Sequence, residues 1–387
     1  MNRLIFEPAG CVRTVTKFSD CKKCVEACPV DTISIAENSL PTFVPSVCVE
    51  CGGCMGVCPS EAFSLEDFSA TEFFFQFAGS KESLISCRLN VPCIMALSTE
   101  HLISLALVKD ELVLDIGHCG ECPYKEPLYE LIKGSLSEAN YVLEACGSQK
   151  RVVAKELGVE ADESGNKAEP SDRRAFLKAL SLKGAAEAKR EFEAMVEKSD
   201  DAQKIHEVDI AALAKIRKKE LPDKRKILFT ALKRTPKPPI YHTVAEEDIS
   251  FVSQKYIDKD SCTNCQMCYR ICPTGALSSD TNMSRIYFDA MLCVKCRACH
   301  DTCEPDAIKM QPVFEMKEFF EPTQRLLASF TLLRCDECGL PFTSLRGERV
   351  CPRCFVEEQE AFELWGIEED GNKTAIFKDF KKEDEGR

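Results

Sequence analysis

The sequence predicts an α+β protein assembled from several small units. Two copies of a cysteine-rich module are joined by a small α/β domain and a helical bridge, and a compact cysteine-containing segment follows. Three observations carry this expectation. The 25 cysteines among 387 residues fall into four blocks, Cys11 to Cys58, Cys87 to Cys146, Cys262 to Cys303 and Cys335 to Cys354, with none between Gly147 and Ser261. The first and third blocks are an internal repeat of CxxC-containing runs, so each is one supersecondary unit. The cysteine-free gap is rich in Ala, Lys, Glu and Leu, which favour helix. The expected boundaries are 1–70 and 250–315 for the two modules, 80–160 for the α/β domain and 171–235 for the bridge. A segment at 325–366 and a charged tail at 367–387 complete the chain.

Cysteines two residues apart can converge on one metal centre, so this usage favours metal ligation over a disulfide framework. Apolar residues make up 44% of the chain, enough for ordinary packed cores. The net charge of -13 repels phosphate backbones, which argues against generic nucleic-acid binding. The same charge suits docking to a basic patch on a redox partner, or plain solubility. Met1 to Gly10 lacks the basic and apolar regions of an export leader. The richest apolar stretch, Leu102 to Val108, is too short to span a bilayer. A cytoplasmic protein is therefore expected, in a compartment that keeps thiols reduced.

The third block reads Cys262-x2-Cys265-x2-Cys268-x3-Cys272-Pro273, then Cys293-x2-Cys296-x2-Cys299-x3-Cys303. It resembles the bacterial-type two-cluster ferredoxins, in which the fourth cysteine of each run ligates the other cluster. The resemblance implies one [4Fe–4S] cluster on Cys262, Cys265, Cys268 and Cys303, and another on Cys293, Cys296, Cys299 and Cys272. It also implies two strand–loop–helix–strand halves related by a pseudo-twofold axis, with apolar returns at Ala276-Leu277 and Ala307-Ile308. Zinc knuckles would not need the middle cysteine of each run. After Cys303 the proline is displaced by one place, to Pro305, and the turn is expected to change there.

The first block resembles the same family with one defect. Cys48-x2-Cys51-x2-Cys54-x3-Cys58-Pro59 is complete, but the preceding run is only Cys21-x2-Cys24-x3-Cys28-Pro29. Its first ligand would fall at Phe18. Cys11 is expected to replace it, carried back by a strand over Val12 to Lys17. The implied sets are Cys11, Cys21, Cys24 and Cys58, then Cys48, Cys51, Cys54 and Cys28. A three-iron cluster, a non-cysteine ligand and an empty site are the alternatives.

In the middle block, Leu84 to Ser86 and Leu112 to Ile116 read as buried strands. Ser98 caps a helix running to Val108, and Glu126 to Leu136 reads as another. Cys119-x2-Cys122 lies at a strand end, and this placement is similar to the iron–sulfur domain of the delta subunit of methyl-viologen-reducing hydrogenase. That resemblance implies a [2Fe–2S] cluster. Cys87 or Cys93 with Cys119, Cys122 and Cys146 forms the candidate set for [2Fe–2S] or zinc. A redox dithiol at Cys119 and Cys122, and buried structural thiols, are the other readings. His118 reads as a strand-end residue.

Cys335-x2-Cys338-Gly339 and Cys351-Pro352-x-Cys354 have zinc-ribbon spacing, with four thiolates for one zinc, or for iron in a rubredoxin-like centre. Gly339 supplies the positive φ that a knuckle needs. Ser171-Asp-Arg173-Arg174 resembles a twin-arginine export motif, but it lies mid-chain and reads as a helix start.

No Ser–His–Asp set, P-loop or GxGxxG fingerprint is present, so no site for an organic substrate is visible. The expected function is electron transfer through four [4Fe–4S] clusters between redox protein partners. By resemblance these include formate dehydrogenase, hydrogenase or another molybdenum oxidoreductase. Thiol–disulfide chemistry at the middle CxxC is the enzymatic alternative, and an assembly factor for an iron–sulfur or molybdenum enzyme is the third.

Overall fold

The computed structural model describes residues 4–37, 39–158, 219–345 and 347–365. Module 1 contains β1 (Leu4–Phe6), α1 (Val12–Val15), α2 (Lys23–Glu26), β2 (Ile33–Ser34), β3 (Thr42–Phe43), α3 (Gly53–Val57) and β4 (Phe63–Leu65). β1 and β4 pair antiparallel, with Leu4 opposite Leu65, and β2 pairs with β3. Leu4, Ile33, Phe63 and Leu65 centre a core that packs directly against the cysteine loops.

Val12–Val15 is a turn of helix rather than the start of a strand. A 3-10 turn over Pro8–Gly10 precedes it, and Cys11 sits between the two in extended conformation. Six extended residues would carry the chain about 20 Å. Two tight turns instead keep Cys11 beside the module, which outweighs the strand preference of Val and Thr.

The middle unit begins with α4 (Ala70–Gly79), whose first turn is capped by Ser69. β5 (Leu84–Ile85), α5 (Thr99–Val108), β6 (Leu112–Asp115), α6 (Lys125–Ala145) and β7 (Val152–Lys155) then form a three-stranded parallel sheet with packed helices, in the order β5-β6-β7. Ser98 caps α5 through a reciprocal pair with His101, which stands where Glu or Gln is usual. α6 runs well past Leu136, because Ala139, Val142 and Leu143 continue its buried face beyond Gly134. Burial of that stripe outweighs the cost of a mid-helix glycine, about 1 kcal/mol.

Of the expected bridge, 159–218 lies outside the described residues, and with it the stretches 161–171 and 198–203 and the arginine pair after Ser171. The described part is α7 (Asp223–Arg234), with Pro222 at its N-cap. Ile227, Leu228, Ala231 and Leu232 bury one face of α7 against α5.

Module 2 repeats the plan of module 1. After β8 (Thr243–Ala245) come β9 (Lys255–Ile257), α8 (Met267–Arg270), β10 (Leu277–Ser279), β11 (Arg285–Asp289), α9 (Ala298–Asp301) and β12 (Ile308–Met310). β9 pairs with β12, and β10 with β11. The chain continues through β13 (Val313–Glu315), α10 (Lys317–Phe320) and β14 (Gln324–Ser329). β13 pairs with β8, and β14 adds to the free edge of β11, burying Ala328 opposite Ile286. Residues from 325, expected to open the C-terminal segment, thus complete the sheet of module 2. The core of module 2 is continuous with α7 and the middle unit.

The C-terminal segment is a hairpin of β15 (Thr331–Arg334) and β16 (Pro341–Ser344), followed by α11 (Pro352–Trp365). The expected tail lies outside the described residues. Among the described residues no helix is long and apolar enough to cross a membrane.

Candidate metal centres

The three complete cysteine runs share one backbone shape. Residues on both sides of the middle cysteine have positive φ: Glu50 (55°) and Gly52 (75°), Asn264 (53°) and Gln266 (72°), Lys295 (47°) and Arg297 (65°). Five of these six residues are not glycine, so the conformation is strained and must be imposed by the loop's surroundings. The short run differs, since Lys22, between Cys21 and Cys24, is at φ −136°.

All four runs end alike. The third residue after the last cysteine has positive φ: Asp31 (49°), Glu61 (54°), Gly275 (74°) and Asp306 (47°). The following N–H donates to the cysteine sulfur at three of them, Thr32 to Cys28 (3.3 Å), Ala62 to Cys58 (3.3 Å) and Ala307 to Cys303 (3.2 Å). The displaced Pro305 therefore does not change the turn. Proline only fixes a φ near −65° that Glu304 can also adopt.

The sixteen thiols gather in four groups. Burial pushes Cys11 up to about 11 and Cys24 to about 12. Cys58 and Cys21 add to both, and Cys11 adds to Cys24. A backbone N–H from Arg13 reaches Cys11, as that of Glu50 reaches Cys48 and that of Asn264 reaches Cys262. Cys11 thus receives the same N–H donor, two residues on, as cysteines of the complete runs, while Phe18 is 55% exposed. In the second group, burial raises Cys48, Cys51 and Cys54, with Cys28 adding to Cys48 and Cys51. In the third, burial raises Cys262 and Cys268, with Cys303 adding to the former and Cys265 to both. In the fourth, burial raises Cys296 and takes Cys299 to about 12, with Cys272 and Cys293 adding to each.

Four sulfurs that repel one another as thiolates, most of them shielded from solvent, suit a cationic iron–sulfur core, which would hold them deprotonated. The residues present thus fit such a group, and N–H donors to sulfur favour the thiolate further.

The C-terminal four are packed more tightly. Ligand atoms of Cys335, Cys338, Cys351 and Cys354 all lie within 4.8 Å of one another. Cys338 Sγ is 3.9 Å from Cys351 Sγ. Four thiolates about 2.3 Å from one ion stand about 3.8 Å apart, so this set fits a mononuclear site. Burial works against the Cys335 thiolate, but N–H donors from Cys338, Cys351 and Glu337 outweigh it and hold the thiol down to about 6. Gly339 has φ 69°, and Arg349 clamps Asp336 through two bonds of 2.7 and 3.2 Å.

The middle block also gathers. Cys87 follows β5 and Cys119 follows β6, at the C-terminal ends of neighbouring parallel strands, where ligand crevices form. Burial takes Cys93 to about 12 and Cys119 to about 11, with Cys87 adding to both; burial also raises Cys87, with Cys122 adding. Cys146 rises to about 12 through burial alone and is a core residue outside the group. Cys51 of module 1 also acts on Cys93. Two glycines of module 1 allow that approach: a Cβ on Gly52 would meet Ala96 Cβ at 2.7 Å, and one on Gly56 would meet Met95 O at 2.0 Å.

Sequence reasoning missed Lys224, Arg225 and Glu100, which are buried where the units meet. Charged residues in a helix read as a solvated face, and no local pattern marks the exceptions.

Two family models match the chain: the 4Fe-4S dicluster domain over residues 19–62 and the 4Fe-4S binding domain over residues 255–278. A protein named ferredoxin 7Fe from Hydrogenibacillus schlegelii is 46% identical over 50 residues, 13% of this chain and 63% of that protein. A ferredoxin of Streptomyces griseus is 46% identical over 52 residues, 13% of this chain and 49% of that protein. The chain thus spans less than two thirds of either relative. An uncharacterized ferredoxin of Methanocaldococcus jannaschii is 32% identical over 53 residues, 14% of this chain and 86% of that protein. With its ferredoxin-type domain present twice, the chain belongs to the bacterial-type 4Fe–4S ferredoxins.

Proposed function

We propose that the chain is a cytoplasmic relay carrying four [4Fe–4S] clusters, two in each module. The ligand sets are Cys11, Cys21, Cys24 and Cys58; Cys28, Cys48, Cys51 and Cys54; Cys262, Cys265, Cys268 and Cys303; and Cys272, Cys293, Cys296 and Cys299. The observation that carries the proposal is that these thiols, more than half of them buried, act on one another in four neighbouring sets. Each cluster, when bound, supplies one-electron redox chemistry. The chain's own part is to hold the sulfurs as thiolates, turn N–H groups onto them and exclude water. Its partners would be redox proteins, by resemblance a formate dehydrogenase, hydrogenase or other molybdenum oxidoreductase.

The C-terminal four would bind one zinc with a structural role, tying the β15–β16 hairpin to α11. Cys87, Cys93, Cys119 and Cys122 would hold a further centre, a [2Fe–2S] cluster in the reading we favour. Four gathered thiols support this over a dithiol, which needs only two.

Metal and sulfide analysis of anaerobically purified chain, beside its EPR spectrum, tests this. About 16 irons for the modules, about two more for the middle set and one zinc are expected. About eight irons or fewer, in protein shown to have kept its clusters, would reduce the relay to one module. Cys11→Ala should replace one cubane signal of module 1 by a three-iron signal, the state suggested by the seven-iron name of one relative. Full iron and an unchanged spectrum in that variant would remove Cys11 from the ligand set.

A further inference from the structure

The described residues place the thiol sets in a row. The middle set lies against the Cys48 loop, where Gly52 and Gly56 approach Ala96 and Met95, and Cys51 acts on Cys93; the Cys48 set in turn feels the Cys58 set through Cys24, which acts on Cys54. In module 2 the Cys293 set acts on the Cys262 set, Cys299 raising Cys268. The start of α7 fills the junction between the modules. Lys224 Nζ donates to the carbonyl of Cys58, and Arg225 Nη1 donates to the carbonyls of Cys293 (2.9 Å) and Met291 (2.7 Å). Arg225 Nη2 donates to Phe251 O at 2.6 Å.

Both cations share one carboxylate. Glu100 lies 2.6 Å from Arg225 Nε and 3.6 Å from Lys224 Nζ, and all three side chains are at most 4% exposed. The trio therefore carries one net positive charge. Glu61, half-buried beside it, accepts the N–H groups of Asp223 and Lys224 at the start of the helix. A further buried cation, Lys255, bonds only neutral groups in the described structure, Ser253 Oγ (3.1 Å) and His300 Nε2 (2.9 Å), and acts on Cys299. The outer sets face the opposite sign, with Glu50 beside Cys48 and Asp258 beside Cys262.

We propose that Lys224 and Arg225 join the two modules into one electron path, their buried positive charge holding the inner sets, built on Cys58 and Cys293, at higher reduction potential than the outer sets built on Cys48 and Cys262. The inference rests on the four-cluster reading. An added electron makes a cluster more negative, so a cation in a low-dielectric site favours the reduced form. One electron entering at an outer set leaves it oxidised as an inner set is reduced, with no proton or bond moving. Either end of the row can thus feed the inner pair across α7.

The test is an EPR-monitored redox titration of the full chain, beside iron and sulfide analysis, for wild type, Lys224→Met and Lys255→Met. Two higher and two lower cubane steps are expected in wild type. Lys224→Met should lower one higher step by tenfold or more in its reduction equilibrium, which is 59 mV for a one-electron couple. Lys255→Met should lower the other by a similar factor and leave the first in place. Unchanged steps at full iron content, the same step moving in both variants, or a shift confined to the lower steps would overturn the proposal. Should Lys224→Met lose iron, Lys224→Gln, which removes the same charge but keeps a donor for the Cys58 carbonyl, decides by the same criterion. A wild type lacking four cubanes would instead sink the four-cluster reading, a result distinct from cubanes whose potentials ignore these charges.

Discussion

Module 2 carries both cysteine runs complete, whereas module 1 lacks the first cysteine of one run and has Cys11 across a helical turn from Cys21. The modules also differ in how they are held. Module 1 has a small core of its own, and it meets the rest through Val57 and Phe68, two close-packed glycines and polar bonds. The core of module 2 runs without a break into α7 and the middle unit, and β14 extends its sheet. One motif can therefore be finished in two ways, as a docked module and as a fused one. Docking leaves the interface dependent on a few close approaches; fusion makes it dependent on shared burial.

The largest effect should come from the charge trio that both arrangements share. Burial works against the ionised Glu100, but Arg225 and Lys224 outweigh it and hold its carboxyl below the usual range. Glu100→Gln would leave two buried cations without a counter-charge, a loss of about 3–5 kcal/mol. Chemical unfolding should show the middle unit and module 2 weakened together. A loss confined to module 1 would contradict the shared core. Next in size is Gly56→Ala. Its Cβ would sit 2.0 Å from Met95 O, a backbone atom with little room to move. Overpacking there should cost about 3 kcal/mol and loosen module 1 from the middle unit. Hydrogen exchange should rise at Ile94–Ala96 in this variant while β9–β12 stays protected.

How legible each arrangement was in the sequence follows from the range of the interactions. The cysteine runs, the Ser98 cap and the strands at Leu84 and Leu112 are local signals, and the structure has them where the residues imply. The turn after Cys303 is not readable from its proline, because the shared feature is the positive φ three residues on. Val12–Val15 is not readable from its strand propensity, because four residues' preference is weak against the two tight turns that hold Cys11 beside the module. β14 and the β8–β13 pair are strands only because distant partners reach them. Lys224 and Arg225 share that origin: their burial is a property of the junction and is not written in the helix.

The pH dependence sharpens the comparison, because it reports on α5, which belongs to the fused side. Burial, helped by Lys224, pushes His101 down to about 4, against the pull of Glu100 and Asp223. A base held neutral in the folded state loses to the unfolded chain once the latter binds a proton. Stability should thus fall as pH drops below 6.5, by about 2 kcal/mol at pH 5. His101→Gln keeps the cap, since Gln is usual at that position, and should remove this fall. Equal urea midpoint shifts between pH 7 and 5 in both proteins would place the titration elsewhere.

The smallest expected effect tests whether the modules also hold each other directly. Thr16 Oγ1 and Thr302 Oγ1 lie 2.9 Å apart, and Asp20 N donates to Asp301 Oδ2 at 3.1 Å. Both contacts join the chain before Cys21 to α9 and its end, next to Cys303. Thr16 is buried, so Thr16→Val should cost about 1 kcal/mol, the usual net worth of one such bond. The loss should appear in the unfolding of module 1, which depends on docking, and leave module 2 unmoved, since its core does not include this contact. Module 1 unfolding as in wild type would mean that the Thr16 contact adds nothing to its docking, which Asp20, α7 and the middle unit then supply.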